Sequence, residues 1–179
     1  MEESEKKLFF DRTLELANLG WGNPPPNPMV GAVIVEEGEI VAEGYHQLAG
    51  SAHAEMEAIK NLGRTPKKGA SIFVSLEPCS TTGRTPPCVK GILDAEIKKV
   101  YIGTTDPNPS HSGRGIEILR QSGVYVEMAC EEFQSRATRL NFIFNHNITT
   151  GNPLIALKLA ESCNGMLAEI SGQPSRITE

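Results

Sequence analysis

No apolar run in this 179-residue chain approaches the roughly 20 residues that a membrane-spanning helix requires. The N-terminus, MEESEKKLFF, lacks the basic stretch followed by an apolar one that marks a secretory leader. There is no basic excess either. Lysine and arginine total 17 against 22 acidic residues, for a net charge of −5, and the pairs Lys67-Lys68 and Lys98-Lys99 stand apart. A surface that tracks a phosphate backbone normally carries the opposite balance, so nucleic acid is not expected as the substrate. Cysteine is scarce. Four (Cys79, Cys88, Cys130, Cys163) in a chain this long do not resemble a disulfide framework, and a reducing, cytoplasmic setting is expected. Internal repeats and low-complexity segments are missing as well.

With 39% hydrophobic and 22% charged residues, the composition is that of an ordinary globular domain with enough chain to bury a core. The spacing of Leu8, Phe9, Leu14, Leu16 and Leu19 predicts a helix over Glu3–Leu19, closed by Gly20. Three adjacent prolines, Pro24 to Pro26, hold the next loop extended. Met29–Val35 and Glu39–Tyr45 flank the turn signal Glu37-Gly38 and predict a hairpin. Helices are then expected at Ala54–Leu62, Cys88–Ala95, Gly115–Ser122 and Glu131–Asn145. They alternate with strands at Ala70–Leu76, Lys98–Thr104 and Val124–Met128. Such alternation predicts an α/β domain with helices on both faces of a sheet, and the hairpin makes that sheet mixed. A last apolar segment, Pro153–Ala160, carries a strand signal with no helix after it. One strand cannot cover its own apolar face. Residues 1–150 are therefore expected to form one domain, and 151–179 the start of a second unit or an arm that associates with a neighbouring molecule.

The most informative residues are His53-Ala54-Glu55, then Pro78-Cys79, then Cys88. One imidazole and two thiolates suit a zinc ion that keeps its fourth position open, as catalytic zinc does. Such an ion polarises water so that a proton can leave near pH 7. Glu55 stands two positions from His53, at the first turn of a predicted helix, where it can shuttle protons without binding the metal. Cys88 at a helix start favours the thiolate. His-x-Glu with Pro-Cys-x-x-Cys is the signature of zinc-dependent base deaminases, although here the cysteines lie nine positions apart instead of three. A single His-x-Glu is common by chance, and a cysteine pair is often just two small buried hydrophobes. A structural zinc would need a fourth ligand, for which His46 is the nearest candidate. Cys130 and Cys163 read as plain thiols, His111 and His146 as surface histidines.

Together the motifs resemble the deaminase part of the bifunctional riboflavin biosynthesis deaminase/reductase family over about residues 8 to 150. The resemblance rests on Pro26-Asn27-Pro28-Met29-Val30-Gly31-Ala32-Val33, Gly44-Tyr45-His46, His53-Ala54-Glu55, Glu77-Pro78-Cys79-Ser80, Gly83-Arg84-Thr85-Pro86-Pro87-Cys88, Asp106-Pro107-Asn108-Pro109 and Gly113-Arg114-Gly115. It implies a three-layer αβα cytidine-deaminase-like fold. It also implies hydrolytic deamination of a phosphorylated diaminopyrimidine, with His53, Cys79 and Cys88 on zinc and Glu55 as proton shuttle. Asn27 would hold the ring, and Arg84 would face a phosphate or ribose oxygen. His46, Asp106 and Asn108 match further pocket positions.

Two departures stand out. The family usually has histidine two residues after the first cysteine, where this chain has Thr81. The stretch Lys158 to Gly165 resembles the opening of a reductase domain, but Cys163, Asn164 and Met166 depart from its pattern, as does Arg176 further on. No nicotinamide cofactor is therefore expected. Two other readings stay open: deamination of a related aminopyrimidine or nucleobase, and a non-catalytic, zinc-stabilised partner protein.

Overall fold

The computed structural model describes residues 1–23, 26–109, 111–161, 163 and 165. Its elements are α1 (Glu3–Asn18), β1 (Gly31–Glu36), β2 (Glu39–Tyr45), α2 (Ala54–Leu62), β3 (Ser71–Val74), α3 (Cys88–Asp94), β4 (Lys99–Ile102), α4 (Arg114–Gln121), β5 (Tyr125–Met128), α5 (Glu131–Leu140) and α6 (Phe142–Thr150). The five strands make one sheet in the order β2-β1-β3-β4-β5. β1 runs antiparallel to both β2 and β3, whereas β3, β4 and β5 are mutually parallel. The sheet is mixed, as the hairpin implies.

The hairpin turn explains its own sequence. Glu37 and Gly38 have φ of 54° and 84°, so both central residues are left-handed, which matches the twist of the flanking strands. β1 is buried along its whole length because alternate side chains enter different cores. Ala32 and Ile34 join Ile72, Val74, Val100 and Ile102 on the face covered by α2, α3 and α4. Val33 and Val35 join Phe73 and Tyr101 on the opposite face, against Phe9 and Phe10 of α1 and Phe133 of α5. On this second face Phe73 stacks on Tyr101 with ring centroids 4.3 Å apart. Two cores separated by one sheet make the three-layer αβα architecture.

Gly44 in β2 decides how closely α2 lies on the sheet. A Cβ at this position would strike the Ala54 carbonyl oxygen and the Ala58 amide nitrogen. Without it, the first turn of α2 rests directly on β2, with Ala54 and Ala58 fully buried. His53 and Glu55 are thereby held at one end of the sheet.

Two expectations need correction. The helix predicted over Glu131–Asn145 is two helices, broken at Asn141, whose backbone (φ −99°, ψ 28°) leaves helical geometry. The buried Asn141 amide clamps Met29: Oδ1 accepts from the Met29 N–H and Nδ2 donates to the Met29 carbonyl, both at 2.8 Å. The segment 153–160 forms no strand. Ile155 and Leu157 are 88% and 84% exposed, since an apolar run becomes a strand only where a sheet edge receives it. Asn164, Met166 and Arg176 lie outside the described residues.

Candidate active site and metal centre

His53 is the residue that precedes α2, in extended geometry, and its carbonyl accepts from the Glu57 N–H at 2.9 Å. Cys79 follows β3 on the loop, and Cys88 opens α3 after Pro87. Their ligand atoms converge, all within 4.8 Å of one another. His53 Nδ1 lies 3.5 Å from Cys79 Sγ and 3.2 Å from Cys88 Sγ. Zinc bonds of about 2.3 Å to sulfur and 2.0–2.1 Å to nitrogen in a tetrahedron put such atoms about 3.5 Å apart. The donor set and its spacing therefore fit zinc. Three groups make a triangle and leave a fourth corner for a small ligand. His46 does not supply that corner. Its Nδ1 lies 3.1 Å from the Ala52 carbonyl and its Nε2 3.0 Å from Asn27 Nδ2.

The site is electrostatically tight. The Cys88 N–H donates to Cys79 Sγ at 3.3 Å. The Cys79 thiol is pushed down to about 4, chiefly by hydrogen bonding from Cys88 and then from His53. Cys88 moves strongly upward, because it shares the proton with Cys79 and is buried. Without a cation one thiol of the pair keeps the proton; a divalent ion displaces it. The His53 imidazole is raised by its bond to Cys79. Glu55, only 3% exposed, is pushed up to about 7, first by burial and then by the Cys79 charge. A cation on the neighbouring ligands opposes that rise.

These groups form one wall of a cavity of about 410 Å³, which Asn27, His46, Asp106 and Asn108 also line. Cys88 is buried behind the wall. Arg84 is exposed outside it, its guanidinium lying against Gly50. A second cavity of about 510 Å³, lined by Trp21, Met29, Ile143 and Leu154, shares Asn27 with the first and contains none of the metal-ligand candidates.

Several residues of the site were not legible in the sequence. Phe144, Asn147 and Ile148 of α6 line the cavity, although α6 follows the metal ligands by more than fifty positions. His111, read as a surface histidine, lines it too. Glu77 holds the framework. Its Oε1 accepts from the N–H groups of Gly115 (2.9 Å) and Ile116 (3.4 Å), and its Oε2 from those of Gly113 (2.9 Å) and Asp106 (3.2 Å). One buried carboxylate thus ties the exit of β3, which carries Cys79, to the loop that carries Asp106, Asn108 and His111. The motif Glu-Pro-Cys was the available signal, but it says nothing about which amides the carboxylate would meet.

Residues 3–104 match the family described as the cytidine and deoxycytidylate deaminase zinc-binding region. The chain belongs to this deaminase family. The riboflavin biosynthesis protein RibD of Aquifex aeolicus (strain VF5) is 45% identical over 173 residues, which cover 96% of this chain and 48% of that protein. RibD of Acinetobacter baumannii is similar in structure, with a TM-score of 0.90 and 39% identity over 99% of this chain and 49% of that one. So is a diaminohydroxyphosphoribosylaminopyrimidine deaminase/5-amino-6-(5-phosphoribosylamino)uracil reductase of Thermotoga maritima, with a TM-score of 0.91 and 39% identity over 99% and 50% of the two chains. The chain spans about half the length of these relatives. Membership in the deaminase family accounts for the zinc-fitting triangle and for the three-layer fold. Among the described residues no helix is long and apolar enough to cross a membrane.

Proposed function

We propose that this protein is a zinc-dependent hydrolase of riboflavin biosynthesis, acting on 2,5-diamino-6-(ribosylamino)-4(3H)-pyrimidinone 5′-phosphate. It removes the 2-amino group and releases ammonia. The observation that carries this reading is a buried carboxylate, Glu55, beside a three-ligand cluster in the wall of a cavity large enough for a nucleotide-sized molecule. His53, Cys79 and Cys88 would hold a zinc ion, which would supply the Lewis acidity that activates water at neutral pH.

The protein's own residues do the rest. Glu55 takes a proton from the attacking water as the new C–O bond forms at the amidine carbon. It gives that proton to the ring nitrogen, then takes the second one from the new hydroxyl and hands it to the departing amine as the carbonyl forms and the C–N bond breaks. Burial favours the protonated form of this carboxyl and a neighbouring cation the charged one, so it can both accept and return a proton. Asn27 offers its amide to the ring edge, and Asp106 and Asn108 border the same space. Arg84, exposed on the loop between Cys79 and Cys88, is assigned an outer contact with the ribose-phosphate end only by the resemblance, since it does not line the cavity. The alternative of a related aminopyrimidine keeps one point in its favour, the short Thr81 side chain where the family has histidine. A purely structural zinc protein has no use for Glu55.

Residues 151–179 are proposed to be the beginning of a reductase-like unit. The exposed Ile155, Leu157 and Leu159 support association with a second copy, because apolar surface of this kind is usually covered. A cytoplasmic location suits the free thiols. The test is to incubate the zinc-loaded protein with the diaminopyrimidine phosphate and assay ammonia. Release at enzymatic rates supports the reading. No release, together with turnover of another aminopyrimidine, replaces the substrate.

A further inference from the structure

We propose that His111 binds the phosphate end of the substrate, a specificity contact supplied by the loop between β4 and α4. This rests on the function proposed above. The argument begins with what the cavity can offer an anion. Its described lining contains the carboxylates of Glu55, Glu77 and Asp106 and no lysine or arginine. Three histidines remain. His53 is spent on the metal cluster. His46 has one ring nitrogen on the Ala52 carbonyl and the other on Asn27. His111 is the imidazole left over. Its Nδ1 faces Thr81 Oγ1 at 3.4 Å, which leaves Nε2 as the nitrogen for the cavity.

Position assigns the phosphate rather than the ring. The reacting carbon must sit at Glu55, which is buried. His111 is half-buried and its partner Thr81 is exposed, so the pair stands at the rim, where the far end of the substrate emerges. The contact is also built to hold its place. The His111 and Ser112 N–H groups both donate to the Asn108 carbonyl at 2.9 Å, and the Arg114 N–H donates to the His111 carbonyl at 3.0 Å. Glu77 fastens the two ends of this loop through the Asp106 and Gly113 amides. Thr81 and His111 together thus put one imidazole where this chain has no histidine on the Cys79 loop.

Binding is measured by calorimetry on zinc-loaded Glu55→Gln protein, with the diaminopyrimidine ribosylamino phosphate and its dephosphorylated form as ligands. His111→Ala is expected to weaken the phosphorylated ligand by about tenfold or more, as loss of a charge-assisted hydrogen bond does, and to leave the dephosphorylated one within about twofold. His111→Gln, which keeps a donor, retains part of the affinity. Adding Thr81→His to His111→Ala restores most of it. Zinc content and melting temperature serve as folding controls. Equal weakening of both ligands, or none of either, overturns the proposal. If the parent protein binds neither ligand, the substrate assignment fails first, and that result is distinguishable because no variant need be compared.

Discussion

His46 Nε2 lies 3.0 Å from Asn27 Nδ2, while His46 Nδ1 lies 3.1 Å from the Ala52 carbonyl oxygen. A carbonyl only accepts, so Nδ1 carries the proton and Nε2 presents a lone pair. Asn27 must then donate through its amide nitrogen, which leaves Oδ1 as its acceptor for a substrate N–H. Burial lowers the His46 pKa, and the nearby His53 lowers it further; both keep the ring neutral. In the proposed reaction His46 acts as a positioning residue for Asn27. His46→Phe should raise KM by about tenfold through a freed Asn27 amide, with zinc content unchanged. An unaltered KM, measured by ammonia release, would show that Asn27 needs no orienting partner.

Glu55→Gln keeps shape and burial but removes the proton acceptor. The expected result is zinc binding equal to the parent protein and turnover reduced by about 10² to 10⁴-fold, the range that general acid–base groups contribute. Metal analysis and ammonia release on the same sample decide it. Retained turnover would remove Glu55 from the mechanism.

Acid stability should depend on Glu36. Arg64 grips this buried carboxylate at both oxygens (2.9 and 2.7 Å), and the Lys67 N–H donates to it at 2.7 Å. Hydrogen bonding from Arg64, aided by that N–H, lowers its pKa from 4.5 to about 2. The folded state therefore binds the proton less readily than the unfolded chain, and acid favours unfolding. The contribution is whole above pH 4.5 and is lost as the pH falls toward about 2. Denaturant titrations of Glu36→Gln should show a stability deficit of about 1–3 kcal/mol near neutrality that shrinks across that acid window. A deficit independent of pH would contradict the ion pair as its source.

The sequence resolved what depends on neighbours along the chain. The hairpin could be read because Glu37-Gly38 specifies a turn locally, and α2 because its apolar stripe ends at Gly63, which adopts φ 66°. The grouping of His53, Cys79 and Cys88 could be read because ligand chemistry limits the residue types. What escaped depends on distant partners. Nothing near Asn141 announces that its amide will clamp Met29 across 112 positions, so the helical pattern reads as unbroken. The cavity wall from α6 and the turn of His111 toward Thr81 are likewise products of packing. The apolar alternation of 154–159 mimics a strand because period two records composition without regard to whether an edge is available.

Asn141→Ala tests that long-range clamp. It leaves the Met29 N–H and carbonyl without their partner beside the second cavity, which should cost about 1–3 kcal/mol. Thermal or denaturant unfolding measures the loss. Stability unchanged from the parent would mean that water replaces the amide at no cost.

Zinc K-edge absorption spectroscopy on the purified holoprotein tests the central claim most directly. One zinc per chain is expected, with two sulfur neighbours at about 2.3 Å and two lighter ones at about 2.0–2.1 Å, one of them the His53 nitrogen and the other exchangeable. Cys79→Ser or Cys88→Ser should lower zinc occupancy and reduce the sulfur shell. A protein that retains no zinc, or a spectrum with four protein-derived ligands and no exchangeable position, would contradict the account.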